Sequence, residues 1–274
     1  MMRGERLACL VDYLLRERGE RLDKPEATEV ELADMFRALM NIRAPKPISR
    51  EYLRLQDEEL QWQLQRKGIV TVEASTGGRG CPAVTVWQGD ITRLQVDAIV
   101  NAANSQMLGC FHPLHGCIDN AIHSAAGVQL RLECAGMGTE AADFENGNAC
   151  EVQRLRLPVG EARMTRGYNL PAKYVIHTVG PVITHGTPTR EQCAKLASCY
   201  ENALGLAEEN GLRTIALCCI STGEFRFPRQ KAAEIAVATV NACTLHVRNI
   251  RQVIFDVLKD EDYRVYTQLL GSTP

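Results

Sequence analysis

Cys110, His115 and Cys117 stand at the spacing Cys-x4-His-x-Cys, just ahead of Asp119. Thiolate and imidazole are the ligands zinc prefers, and a compact loop with a proline, here Pro113, can fold three of them around one ion. Three protein ligands leave a fourth position open to water or substrate, the arrangement of a catalytic zinc. The same residues also read as two buried cysteines and a surface histidine, and His112 competes with His115 for the ligand role. Asp119 reads as a general base or as a helix cap. His123 lies one helical turn later and reads as its orienting partner or as a satisfied helix residue.

A second group of candidates follows apolar runs. Gly89-Asp90-Ile91-Thr92, Asn101-Ala102-Ala103-Asn104, Gly180-Pro181 and Ser221-Thr222-Gly223-Glu224-Phe225-Arg226-Phe227-Pro228 each come just after a short strand-like segment. In α/β sheets ligands collect at the carboxyl ends of strands. A Ser-Thr-Gly turn ahead of a helix presents backbone N–H groups suited to phosphate oxygens. Asp90 can accept from a base amine or a sugar hydroxyl, or can cap a helix. Arg226 can reach phosphate or face solvent.

The elements that must position these loops follow from periodicity. Val84–Trp87, Ala98–Val100, Tyr174–Ile176, Thr214–Ile220 and Gln252–Leu258 read as strands. Helices are expected over 119–135, 190–210, 229–246 and from Asp260 onward, and this alternation implies an α/β layer fold with helices on both faces. The first 70 residues are instead all helical in pattern: 6–18, then a helix opened by the capping box Thr28/Glu31, then one capped by Ser49. Three short amphipathic helices cannot bury their apolar faces alone. Ser75–Gly80 reads as a turn or linker. The expected division is a helical extension over 1–78 and an α/β domain over 79–274.

Composition narrows the class. The chain has 274 residues, 45% hydrophobic and 23% charged, which excludes a disordered or low-complexity chain. A net charge of −2 lacks the basic excess of a general nucleic-acid binder. No apolar run approaches the roughly 18 residues of a membrane span, and no secretory signal is read. Most of the 11 cysteines, in a long chain without such a signal, are expected to be reduced thiols in the cytoplasm.

Taken together and in order, these motifs resemble the macrodomain family, which binds ADP-ribose. The residues carrying the resemblance are Gly89-Asp90-Ile91, Asn101–Asn104, Ile118–Gly127, Gly160–Pro181 and Ile220–Pro228. The resemblance implies a three-layer α/β/α fold with a mixed central sheet, preceded here by the helical extension. It implies that Asp90 binds the adenine amine with a backbone contact at Ile91. Asn104 would approach the distal ribose, the loop Ser221–Phe227, with Ser221, Thr222, Gly223 and Glu224 among its contacts, would wrap the diphosphate, and Phe225 would lie against the distal ribose.

The segment around Asp119 is similar to the MacroD-type hydrolases, which place an aspartate at the start of a helix. Those enzymes precede it with a run of glycines, where this chain has Leu108–Cys117. A zinc-containing subgroup carries a Cys/His loop there and an N-terminal helical extension. That likeness implies Zn2+ on Cys110, His115 and Cys117, Asp119 as catalytic base and substrate contact, and removal of mono-ADP-ribose from acidic side chains of a protein. It also implies companions: a sirtuin-like transferase and the lipoyl-carrier protein that it modifies. The competing readings are an ADP-ribose binding module with structural zinc and an O-acetyl-ADP-ribose deacetylase.

Overall fold

The computed structural model describes residues 1–22, 27–73, 82–137 and 156–271. The expected linker Ser75–Gly80 and the expected boundary at 78/79 lie outside them. Contacts divide the chain into two compact units. The first comprises the described residues within Met1–Gly68, Leu108–Arg154 and Tyr168–Leu170; the second comprises the remainder.

The first unit is helical: α1 Arg3–Arg16, α2 Glu29–Ile42, α3 Arg50–Lys67, α4 Ile118–Ala126 and α5 Val128–Gly136. The stripe of α1 closes its core, with Leu7, Leu10 and Val11 fully buried against Phe36 and Met40 of α2 and Tyr52 and Leu60 of α3. Val128 of α5 joins the same cluster. The apolar faces of the extension are therefore covered inside this unit. Thr28 and Glu31 form the expected capping box on α2, and Ser49 Oγ accepts from the Tyr52 N–H to start α3. Beneath α1, fully buried Glu59 is held by Arg3 and Arg6 at 2.9 and 2.8 Å.

One continuous helix is expected over 119–135, and the structure breaks it at Gly127. The break uses a conformation that only glycine takes readily. Gly127 has φ +93°, and a Cβ there would come within 2.5 Å of Gln56 Nε2. Gln56 Oε1 in turn accepts from Val128 N at 3.0 Å, so α3 sets the entry to α5.

The second unit is built on six strands: β1 Ala83–Gln88, β2 Ala98–Ala102, β3 Ala162–Arg166, β4 Tyr174–Thr178, β5 Thr214–Leu217 and β6 Gln252–Val257. Their order is β1-β6-β5-β2-β4-β3. All pairings are parallel except β3 with β4, which makes the sheet mixed. Helices α6 Arg190–Glu209, α7 Arg229–Thr244 and α8 Asp260–Gly271 form a layer on it. In that layer α6 lies against β3, β4 and β5, α8 lies against β1 and β6, and α7 packs between the two helices.

β3 has no counterpart among the expected strands. It is an edge strand that buries Ala162 and Thr165 and exposes Arg163 and Arg166, so its sequence lacks the apolar run of β2 or β6. β5 ends at Leu217 rather than Ile220, because the chain turns there and Ile220 N donates to Cys218 O. Parallel pairing brings the carboxyl ends of β1, β6, β5, β2 and β4 to one edge of the sheet, and the candidate binding loops leave from that edge.

Candidate active site

In the second unit, Asp90 follows β1. Its Oδ1 accepts from Thr92 N at 3.0 Å and from Thr92 Oγ1 at 2.6 Å, so it caps the 3-10 turn Ile91–Arg93. Ile91 is buried and fixes the turn to the core. Asp256, in β6 opposite Trp87 of β1, is 6% exposed, and its Oδ1 makes no hydrogen bond among the described residues. Burial pushes its carboxyl up to about 8, and the nearby negative charge of Asp90 adds to the shift.

Asn104 ends the loop after β2, and its Oδ1 accepts from Gln106 N at 3.0 Å. The loop is tied to the end of β4 by Ala103 N donating to Thr178 O. Ser221 and Arg226 hold φ +66° and +57°, the left-handed region that side chains seldom occupy. Between them the loop closes on itself: Phe227 N donates to Ser221 O at 2.9 Å and Arg226 N to Gly223 O at 3.0 Å. Thr222 Oγ1 donates to Cys219 O, and Ile183 N donates to Phe225 O, which ties this loop to the one after β4. Gly223, Glu224 and Arg226 are exposed and Phe225 is half-buried. Ser221 Oγ is buried with no partner among the described residues. A Cβ on Gly180 would lie 2.0 Å from that oxygen, so only glycine fits beside it.

Behind these loops His177 is fully buried in β4. Asn101 Nδ2 donates to its Nδ1 at 3.2 Å, which leaves the proton on Nε2 to donate to Thr165 Oγ1 at 2.9 Å. Burial lowers its pKa to about 4.

In the first unit, one donor atom each from Cys110, His115 and Cys117 lie within 4.8 Å of one another. Cys110 Sγ and His115 Nδ1 are 3.5 Å apart. A sulfur at ~2.3 Å and a nitrogen at ~2.0–2.1 Å on a tetrahedral zinc are separated by about 3.6 Å, so the pair already has the spacing of bound ligands. His112 is outside the group; its ring meets that of His115 edge-on at 5.3 Å. Burial together with Cys110 and Asp119 pushes the Cys117 thiol up to about 11. A divalent cation is the partner that would offset that cost, and the residues present fit zinc.

Cys117 has a second role: its Sγ accepts from Asn120 N at 3.4 Å and caps α4. Asp119 therefore sits inside the first turn, where the helix dipole favours a negative side chain. It is 6% exposed, and its Oδ1 lies 3.6 Å from His123 Nε2. Gly109, at φ +78°, passes so close to His123 that a Cβ would meet the ring at 2.7 Å. Sequence reasoning misses Arg37, Asn41, Asn120 and Arg131, which hold this loop, and Asp256. Arg37 and Asn41 sit mid-helix, where no local motif marks a role. A polar Asn41 beside the apolar stripe of α2 is the faint signal present.

A mixed six-stranded sheet with loops of this kind at its carboxyl edge defines a macrodomain fold, and a macro domain family model matches residues 100–236. The chain belongs to the macrodomain family, among its protein-ADP-ribose hydrolases. It is 45% identical over 280 residues to the protein-ADP-ribose hydrolase of Treponema medium, with 99% of this chain and 100% of that one covered. A variant Oceanobacillus iheyensis macrodomain solved with ADPR superposes with a TM-score of 0.60 at 33% identity, over 71% of this chain and 95% of its own. The Trypanosoma brucei macrodomain in complex with ADP-ribose gives a TM-score of 0.59 at 29% identity, over 85% and 95%. Among the described residues no helix is long and apolar enough to cross a membrane.

Proposed function

We propose that this chain is a zinc-dependent hydrolase that removes mono-ADP-ribose from acidic side chains of a protein. The observation that carries the reading is local. Asp119 lies in the first turn of a helix whose cap, Cys117, belongs to a group of three zinc-type donors that lie within 4.8 Å of one another. The near full-length identity to a protein-ADP-ribose hydrolase supports the substrate class. In this reading residues 79–274 are the macrodomain and 1–78 its helical extension.

The residue roles follow the chemistry. Cys110, His115 and Cys117 hold Zn2+, which when bound supplies Lewis acidity toward a ribose oxygen or a water. Asp119 takes a proton from the attacking water or orients it, and His123 holds the Asp119 carboxylate in place. Asp90 and Ile91 take the adenine end of ADP-ribose, and Asn104 the distal ribose. Ser221, Thr222, Gly223 and Glu224 present the diphosphate loop, and Phe225 packs on the distal ribose. Water adds across the ribose–carboxyl bond and yields ADP-ribose and a free acidic side chain. An ester needs no second catalytic carboxylate of the glycosidase kind. The modified partner in this reading is a lipoyl-carrier protein that a sirtuin-like transferase has modified.

The test is release of ADP-ribose from a modified acceptor, with and without chelator. Asp119→Ala is expected to slow release by about 10²–10⁴-fold while ADP-ribose still binds. Full activity in both Asp119→Ala and metal-stripped protein sinks the mechanism. Tight ADP-ribose binding with no release by the wild type makes the chain a binding module, and preference for O-acetyl-ADP-ribose over modified protein makes it a deacetylase.

A further inference from the structure

We propose that helix α2 of the N-terminal extension is the scaffold of the metal loop, and that Arg37 and Asn41 are positioning residues for zinc. The inference rests on the reading above, in which Cys110, His115 and Cys117 hold the ion. Residues 108–117 form no helix or strand, so their shape must come from contacts elsewhere. Two of these contacts come from α2. Arg37 Nη2 donates to the carbonyl of the ligand His115 at 3.3 Å and to Asn120 Oδ1 at 2.8 Å. Asn41 Oδ1 accepts from Leu114 N at 3.0 Å, and its Nδ2 donates to Ser124 Oγ at 2.9 Å.

Leu114 is the residue that needs holding. Its φ is +55°, a conformation costing of order 1 kcal/mol or more in a non-glycine residue. That turn reverses the chain just before His115. Asn41, 1% exposed, is a buried amide whose two ends are both used, one on this turn and one on α4. Asn120 relays the grip of Arg37: its Nδ2 donates to His112 O at 3.0 Å, and its backbone N–H meets the ligand Cys117 Sγ. Arg131 of α5 closes the other end. It donates to Leu108 O and lies over the Phe111 ring at 4.3 Å, while its Nη1 takes the carbonyls of Met40 and Arg43 at the end of α2. The loop is thus bracketed at Leu108, Leu114 and His115 by groups that α2 supplies or fixes. Partners beyond the ligands set ligand orientation, and removing one costs roughly 10–100-fold in metal affinity or activity.

The experiment is zinc affinity of the full-length protein, read by competition with a chromophoric chelator, beside the melting temperature of the metal-free protein. Arg37→Met and Asn41→Ala are each expected to lower zinc affinity by about 10–100-fold, more than the fall in metal-free melting temperature that loss of the hydrogen bonds themselves brings. Arg37→Lys keeps a cationic donor and is expected to recover most of the affinity. Asn41→Asp keeps the acceptor for Leu114 N and is expected to lose less than Asn41→Ala. Wild-type affinity in both Arg37→Met and Asn41→Ala overturns the inference. Equal losses in all four variants, matched by losses of metal-free stability, also overturn it, since that pattern marks general packing. Failure of the wild type to bind zinc stoichiometrically defeats the metal reading itself, an outcome distinct from either.

Discussion

The diphosphate-type loop and the metal loop are both irregular segments that lead into a helix, yet they are held by opposite means. Ser221–Phe227 is held close to home. Its own backbone closes the turn, and a neighbouring strand-end loop contributes one more bond and a glycine. The metal loop is held by side chains far away in sequence, with Arg37 and Asn41 standing 83 and 73 positions from Asn120 and Leu114. A loop at the carboxyl end of a parallel strand inherits its position from the sheet. The Cys/His loop has no strand of its own to do this, and the helical unit substitutes for one. The difference teaches that an insertion bearing ligands needs a scaffold, and here the N-terminal extension is that scaffold.

The largest expected effect separates the two jobs of Cys117. Serine is a good helix cap and a poor zinc ligand, so Cys117→Ser keeps the start of α4 and loses the thiolate. About 10–16 kcal/mol of structural zinc binding spread over four ligands is roughly 3 kcal/mol each, so zinc affinity is expected to fall about 100-fold. Cys117→Ala loses the cap as well and is expected to melt at a lower temperature than the serine variant. Metal analysis and melting of both proteins check this. Equal zinc content in wild type and Cys117→Ser would remove the metal loop from one side of the comparison.

The matching break in the other region is Gly180→Ala. The new Cβ meets Ser221 Oγ at 2.0 Å and Ile220 Cγ2 at 2.7 Å, and such overpacking costs about 1–3 kcal/mol. The strained Ser221 turn is expected to shift, weakening ADP-ribose affinity by about tenfold or more while zinc affinity stays at wild type. Calorimetry with each ligand reads the two effects independently. A loss of zinc affinity in this variant would show that the two loops are not held separately.

How much was legible in the sequence follows the same division. β1, β2, β4 and β6, the capping box at Thr28 and the cap at Ser49 announce themselves through local pattern, and the structure has them. So do Cys110, His115 and Cys117 as a group, because ligand chemistry and spacing are local too. Edge strand β3 was not legible, since a half-solvated five-residue strand carries two arginines and no apolar run. The break at Gly127 depends on Gln56, and the turn at Leu114 depends on Asn41. Neither partner is near in sequence, and no periodicity names them. Asp256 escapes for a related reason: inside an apolar strand an acid reads as an interruption, and only the fold puts Asp90 close to it.

That pair supplies the smallest expected effect. Unfolded, Asp256 titrates near its ordinary carboxylate value of 3.8; folded, it is raised to about 8 by burial and by Asp90. Between those values the folded chain holds a proton that the unfolded chain has released, so this group makes stability fall as pH rises. His177 works in the opposite direction. Its pKa of about 4 lies below the ordinary 6.5, so stability rises with pH through that window. From pH 6.5 to 8 Asp256 is left largely alone, and 1.5 pH units correspond to at most about 2 kcal/mol of lost stability. Asp256→Asn removes the titrating proton, and urea unfolding of the variant is expected to lack that decline. Weakening of ADP-ribose binding by the same substitution would mean that Asp256 serves the binding loops. Unchanged binding with a flattened stability profile would mean that the acid only sets the pH range of the sheet beneath them.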